Sequence, residues 1–277
     1  MEVRKKSIMQ IKPYKPGEGK AEDSMKIAKL SANENPLGCS QKAVEAINNA
    51  SAFLNRYPDG GSNELRRKLA GQYGVSAEQI VCGAGSDEII NLLITAFTMP
   101  GDEVLYSEYG FLMYKLYALA HGAVPVVAEE TNYMADIDAL LRAVTPKTRI
   151  VFLANPNNPT GAYIGESKLR ELREALADDI LLVIDSAYAE YVECEDYEDG
   201  LKLVRENDNV VMTRTFSKLY GLASLRLGYA VSTIEICDIL NRIRGPFNVN
   251  LLSQAAGIAA LEDVDFISKS KAYNQEM

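Results

Sequence analysis

Lys218 lies in the segment Arg214-Thr215-Phe216-Ser217-Lys218-Leu219-Tyr220-Gly221, and Arg226 follows eight residues later. Two hydroxyls and a guanidinium suit a phosphate monoester, whose oxygens they hold by charge-assisted hydrogen bonds. A lysine amine beside them is the nucleophile that captures an aldehyde. Most lysines are solvated point charges, and it is the company of Thr215, Ser217 and Arg226 that sets Lys218 apart.

Three other segments carry chemistry. Gly83-Ala84-Gly85-Ser86-Asp87-Glu88 precedes an apolar helical pattern. It reads either as a tight turn with Ser86 or Asp87 as helix cap, or as backbone N–H groups at a helix start that bind a phosphate. Asp185 closes the apolar run before Ser186-Ala187-Tyr188. A carboxylate there costs free energy unless it meets donors or a cation. It caps the next segment or faces a cationic ring nitrogen. Ala154-Asn155-Pro156-Asn157-Asn158-Pro159-Thr160-Gly161 is a turn on composition alone.

These segments all follow short runs rich in Val, Ile and Leu. Gln79–Cys82, Glu103–Tyr106, Val124–Val127, Arg149–Leu153, Ile180–Ile184 and Val210–Thr213 read as strands buried on both faces. Helical patterns lie between them at Asp87–Phe97, Phe111–Ala120, Ile137–Val144 and Ser167–Ala177. Further helices are expected over Leu251–Leu261 and from Asp263 onward. The alternation predicts an α/β fold, a three-layer sandwich around a mostly parallel central sheet. Ligands of such sheets collect at the carboxyl ends of the strands, where the four segments sit. Residues 1–36, polar and rich in Lys, Pro and Gly, read as an arm with little structure of its own.

With 277 residues the chain can bury roughly 70–75% of the surface its unfolded form exposes. It therefore needs no disulfide or metal to fold. The net charge of −9 argues against nucleic-acid partners. Cys39, Cys82, Cys194 and Cys237 form no CxxC pair and His121 is the sole histidine, so no metal site is expected. No apolar run reaches the roughly 18 residues of a membrane span. The charged N-terminus is followed by no apolar secretory region. The expected location is the cytoplasm. A dinucleotide site is excluded, because Gly83–Glu88 does not spell GxGxxG and lacks the acid that motif needs downstream.

Taken in order, Gly-Ala-Gly-Ser-Asp-Glu, Asn-Pro-Asn-Asn-Pro-Thr-Gly, Asp-Ser-Ala-Tyr and Thr-Phe-Ser-Lys with its downstream Arg resemble the fold-type I pyridoxal-phosphate (PLP) aminotransferases. Ser31-Ala32-Asn33-Glu34-Asn35-Pro36-Leu37-Gly38, Arg56-Tyr57-Pro58-Asp59-Gly60-Gly61 and Gly245-Pro246-Phe247-Asn248-Val249-Asn250 are similar to the histidinol-phosphate aminotransferase branch. The resemblance covers residues 10–277. It implies that Lys218 carries PLP as a Schiff base and moves the substrate proton. It implies that Asp185 pairs with the ring nitrogen, that Asn158 and Tyr188 hydrogen-bond the ring oxygen, and that Tyr109 stacks on the ring. The backbone at Ser86 and Asp87, with Thr215, Ser217 and Arg226, would hold the cofactor phosphate. Tyr57 would reach that phosphate from the neighbouring subunit of a homodimer.

The same resemblance implies domains at 1–36 (arm and part of a small domain), 37–260 (the PLP-binding large domain) and 261–277 (the start of an interdomain helix). Residues 37–260 and 261–277 thus join a large domain to a partial small one. The implied reaction is transamination between an amino acid and a 2-oxo acid, with histidinol phosphate and 2-oxoglutarate as the leading pair. An aromatic amino-acid aminotransferase and a same-branch amino-acid-phosphate decarboxylase are the alternatives. One feature departs from the pattern: no residue here matches the C-terminal Arg that grips a substrate carboxylate. The expectation is a fragment or a truncated product that binds cofactor but turns over poorly, at the extreme a PLP-binding remnant.

Overall fold

The computed structural model describes residues 7–12 and 31–277. The greater part of the expected arm lies outside the described residues. From its start the chain runs α1 (Gln41–Ala50), α2 (Asn63–Tyr73), β1 (Ile80–Gly83), α3 (Ser86–Phe97), β2 (Glu103–Ser107), α4 (Leu112–His121) and β3 (Val124–Ala128). A small hairpin of β4 (Glu130–Thr131) and β5 (Met134–Ala135) follows, then α5 (Ile137–Ala143), β6 (Thr148–Ala154), α6 (Glu166–Ala175) and β7 (Leu181–Asp185). The remainder is α7 (Leu201–Glu206), β8 (Val210–Thr215), β9 (Gly228–Val231), α8 (Ile234–Ile243), α9 (Leu251–Leu261) and α10 (Val264–Glu276).

Seven strands form one sheet in the order β1-β9-β8-β7-β6-β2-β3. The pairs from β3 through β8 are parallel, while β9 runs antiparallel to both β1 and β8. This one reversal has a consequence for chemistry. Residues preceding β9 lie at the sheet edge where the other strands end, so Gly83 and Thr215 both pair with Gly228. Arg226, two residues before that glycine, is thereby delivered to the carboxyl edge.

Period-two alternation sends neighbouring strand residues to different cores. Leu182, Ile184, Val151, Leu153 and Met212 pack with helices α1, α2, α5, α6, α7 and α9. Leu181, Val183, Ile150, Phe152 and Val211 pack with α3, α4 and α8. Burial on both faces explains why these strands are near-continuous apolar runs. The result is three layers, and truncating a fully buried ring such as Phe152 to Ala would cost about 3–5 kcal/mol. Helix starts follow side-chain capping: Ser40, Asp136, Thr233, Asn250 and Asp263 each accept a backbone N–H three residues on. Helices α2 and α4 stop at Gly74 and Gly122, both left-handed. No helix among the described residues is long and apolar enough to cross a membrane.

Candidate active site

A cavity of about 270 Å³ opens at the carboxyl edge of the sheet. Its wall includes Ser86, Asp87, Asn158, Asp185, Tyr188, Thr215, Ser217, Lys218 and Arg226. Nine of the eleven residues singled out in the sequence therefore meet at one site. Eight of them lie at or just after a strand's carboxyl end: β1 leads to Ser86 and Asp87, β6 to Asn158, β7 to Asp185 and Tyr188, and β8 to Thr215, Ser217 and Lys218, while Arg226 leads into β9.

The phosphate-like end is built on close approach. Gly85 precedes α3 at φ +82° and ψ 168°, a conformation nearly confined to glycine. A Cβ there would sit 2.5 Å from Arg226 Nη2. At Gly228 a Cβ would fall 2.3 Å from the Ser86 backbone nitrogen. These two bare positions let the guanidinium and the first turn of α3 crowd one spot. Arg226 is itself left-handed at φ +53°. It donates through Nη1 to Ser217 Oγ (3.2 Å) and through Nη2 to Asp87 Oδ2 (2.9 Å). The buried Asp87 Oδ1 has no hydrogen-bond partner among the described residues. Neither Ser86 nor Asp87 caps α3, because Gly85 occupies the cap position. The donor set of hydroxyls, guanidinium and helix-start N–H groups, over a cradle that any Cβ would fill, fits a phosphate monoester.

Lys218 Nζ donates to the Ala32 carbonyl at 3.0 Å and lies 5.5 Å from the centre of the Tyr188 ring. Burial and then the nearby Arg226 charge hold its amine below the ordinary lysine range, with Asp87, Glu34 and Asp185 acting against them. Asp185 is only 5% exposed, and the backbone N–H of Ala187 donates to its carboxylate. It accepts from Tyr114 (Oη to Oδ2, 2.7 Å) and from Thr213 (Oγ1 to Oδ1, 3.1 Å). Desolvation raises its pKa, and the Tyr114 and Thr213 hydroxyls, with the Ala187 N–H, partly offset that.

Asn33 donates to the Tyr188 hydroxyl at 2.9 Å and to Asn158 Oδ1 at 3.4 Å. Its amide thus fills acceptor positions and leaves the Tyr188 O–H and the Asn158 amide N–H as donors. The 31–37 segment that carries it is pinned by Asn35, which donates to the Leu219 carbonyl at 2.7 Å and to Ser270 Oγ at 3.1 Å.

Two expected residues are placed elsewhere. Tyr109 is 39% exposed and packs on Tyr133 with ring centres 5.4 Å apart; Phe111 lines the cavity instead. The turn that separates them is closed by the Gly110 N–H to the Ser107 carbonyl at 2.8 Å, where a Cβ would meet that oxygen at 2.9 Å. Tyr57 is 82% exposed and stacks on Phe247 at 4.5 Å, away from this chain's cavity. Sequence reading missed Asn33, Phe111, Tyr114 and Thr213. An apolar ring at a helix start and a threonine inside a strand carry no signal that separates them from core residues.

Residues 25–277 match the family model for aminotransferase class I and II. The chain is 52% identical over 269 residues to the histidinol-phosphate aminotransferase of Maricaulis maris, covering 97% of this chain and 74% of that protein. Its identity to the histidinol-phosphate aminotransferase of Paramagnetospirillum magneticum is 51% over 267 residues, covering 96% of this chain and 74% of that relative. Among solved structures it is similar to the histidinol-phosphate aminotransferase from Sinorhizobium meliloti in complex with pyridoxal-5'-phosphate. That match has a TM-score of 0.85 at 30% identity and covers 88% of this chain and 67% of the other.

Proposed function

The chain belongs to the class I and II aminotransferase family, and from that premise we propose that it is a PLP-dependent aminotransferase exchanging the amino group of histidinol phosphate with 2-oxoglutarate. The observation that carries the reading is the meeting of a half-desolvated lysine, an Arg226–Ser217 anion cradle and a buried carboxylate in one cavity. Relatives at about half identity supply the substrate.

PLP, when bound, supplies an aldehyde that captures the amino group and a ring that takes up the electron pair released at the substrate Cα. The chain's own residues do the rest. Arg226, Ser217, Thr215 and the backbone N–H groups at Ser86 and Asp87 would hold the phosphate. Lys218 would offer its amine to the aldehyde and then carry a proton to and from the substrate Cα. An amine held below the ordinary lysine range spends more of its time neutral and able to do both. Asp185 would keep a proton on the ring nitrogen. The free O–H of Tyr188 and N–H of Asn158 would donate to the ring oxygen, aimed by Asn33. Phe111, rather than Tyr109, would cover a face of the ring.

Residues 37–260 are read as the large domain, with 261–277 starting the helix that leaves it and 1–36 as arm and part of a small domain. A homodimer is part of the same proposal: Tyr57, exposed and not among the residues that line its own cavity, would serve the phosphate site of a second copy.

The test is single-turnover amino transfer from histidinol phosphate to PLP-loaded protein, followed by 2-oxoglutarate, with an aromatic amino acid in parallel. Transfer from the aromatic donor alone would sink the substrate assignment.

A further inference from the structure

Resting on that reading, we propose that Tyr114 is a positioning residue: with Thr213 it clamps the Asp185 carboxylate, keeping it oriented and negatively charged so that a proton stays on the cofactor's ring nitrogen.

The geometry is specific. Each oxygen of Asp185 has its own donor, Tyr114 on Oδ2 and Thr213 on Oδ1. The donors come from different elements, α4 and β8, so the carboxylate plane is fixed from two sides. Tyr114 cannot drift. Its ring is fully buried, stacks on Phe152 at 4.5 Å with an 8° interplanar angle, and meets Phe111 edge-on at 5.8 Å. The phenol is held well above its ordinary range by burial and by the Asp185 charge, so it remains a donor. Asp87 is a second carboxylate whose charge works against ionisation of Asp185. The two clamping hydroxyls oppose that charge and the burial. Because Phe111 lines the cavity and touches Tyr114, one ring supports both the carboxylate and a cavity wall.

A merely structural Tyr114 would matter only as a packed ring. Tyr114→Phe keeps that ring and deletes the donor, and Thr213→Val does the same for the other oxygen. The readout is the ¹⁵N chemical shift of PLP labelled at the ring nitrogen, bound to the whole chain. Wild-type protein is expected to give the protonated-ring position. Each variant is expected to move the proton equilibrium towards a neutral ring by about tenfold, the size of one hydrogen bond to a charged group. Retention of the fully protonated position in both variants would overturn the proposal, and Thr213→Val decides it if Tyr114→Phe does not fold. Wild-type protein that binds no PLP would instead refute the functional reading, so the two failures are distinguishable.

Discussion

Arg226 reaches over Gly85 to place Nη2 2.9 Å from Asp87 Oδ2, through the space that a side chain at Gly85 would fill. The contact ties β9's leading loop to the first turn of α3. It explains why position 85 is a glycine. Gly85→Ala is expected to do two things. Its φ and ψ of +82° and 168° would cost about 1–3 kcal/mol of stability for any L side chain. Displacement of the guanidinium would weaken PLP binding by about tenfold or more, the scale of one charge-assisted contact. Titration of the apoprotein with PLP, beside a thermal melt, checks both. Unchanged affinity would show that Arg226 is not part of the phosphate cradle.

Lys218 is expected to be the residue that PLP modifies. Borohydride reduction of the loaded protein should leave a pyridoxyl group on the Lys218 peptide, and a label on any other lysine would refute the assignment. The pH dependence has a definite sign. Burial and Arg226 lower the folded-state pKa of Lys218. The unfolded chain therefore binds more protons between that value and the ordinary lysine pKa. Stability contributed by this group rises with pH across that window. Amine reactivity of Lys218 should rise at lower pH than that of a lysine in an unstructured model peptide, followed by acylation and mass spectrometry. Identical profiles would place Lys218 in solvent.

How much of this was legible beforehand follows from where each residue sits. Lys218, Asp185 and Arg226 are polar groups at the ends of apolar runs, where burial is costly, so their types stand out against their surroundings. The central strands were legible from their composition: Ile180–Ile184 reads as an unbroken apolar run, and the strand Leu181–Asp185 is buried throughout. By contrast α1, α2, α7 and α8 fall outside the helical segments read from the pattern. Tyr114 was illegible as well, because its hydroxyl is hidden in an otherwise apolar helical stripe. Asn33 lies 155 positions from Tyr188 in the chain, and only the fold brings the two within 2.9 Å. Tyr109 was the nearest aromatic to a strand end, yet the tight turn at Gly110 gives the cavity to Phe111.

Asp185→Asn is expected to preserve the fold and cofactor binding while slowing loss of the substrate Cα proton by roughly a hundredfold or more, the usual size of a lost preorganised charge. An amide has no negative charge to keep a proton on the ring nitrogen. It can still accept from Tyr114 or Thr213, so packing is spared. Single-turnover exchange of the Cα proton against deuterium gives the rate directly. An unchanged rate would reduce Asp185 to a structural residue.

Arg214 stands one position from Thr213 and Thr215 but faces the opposite layer, where it holds the segment after Tyr188. Its guanidinium lies 2.6 Å from Glu190 Oε1 and 2.7 Å from Asp199 Oδ2, and 5.9 Å from the centre of the Tyr73 ring. Arg214 and Glu190 are almost wholly enclosed, so the pair is a buried one. Such pairs add little over apolar packing, but removing one partner strands the others. Arg214→Met is therefore expected to cost about 3–5 kcal/mol. Most of that loss should return in the triple variant Arg214→Met, Glu190→Gln, Asp199→Asn, whose remaining groups carry no charge. Denaturant midpoints of the wild-type, single-variant and triple-variant chains give the comparison. A single variant as stable as wild type would show that Glu190 and Asp199 find solvent or other donors without Arg214.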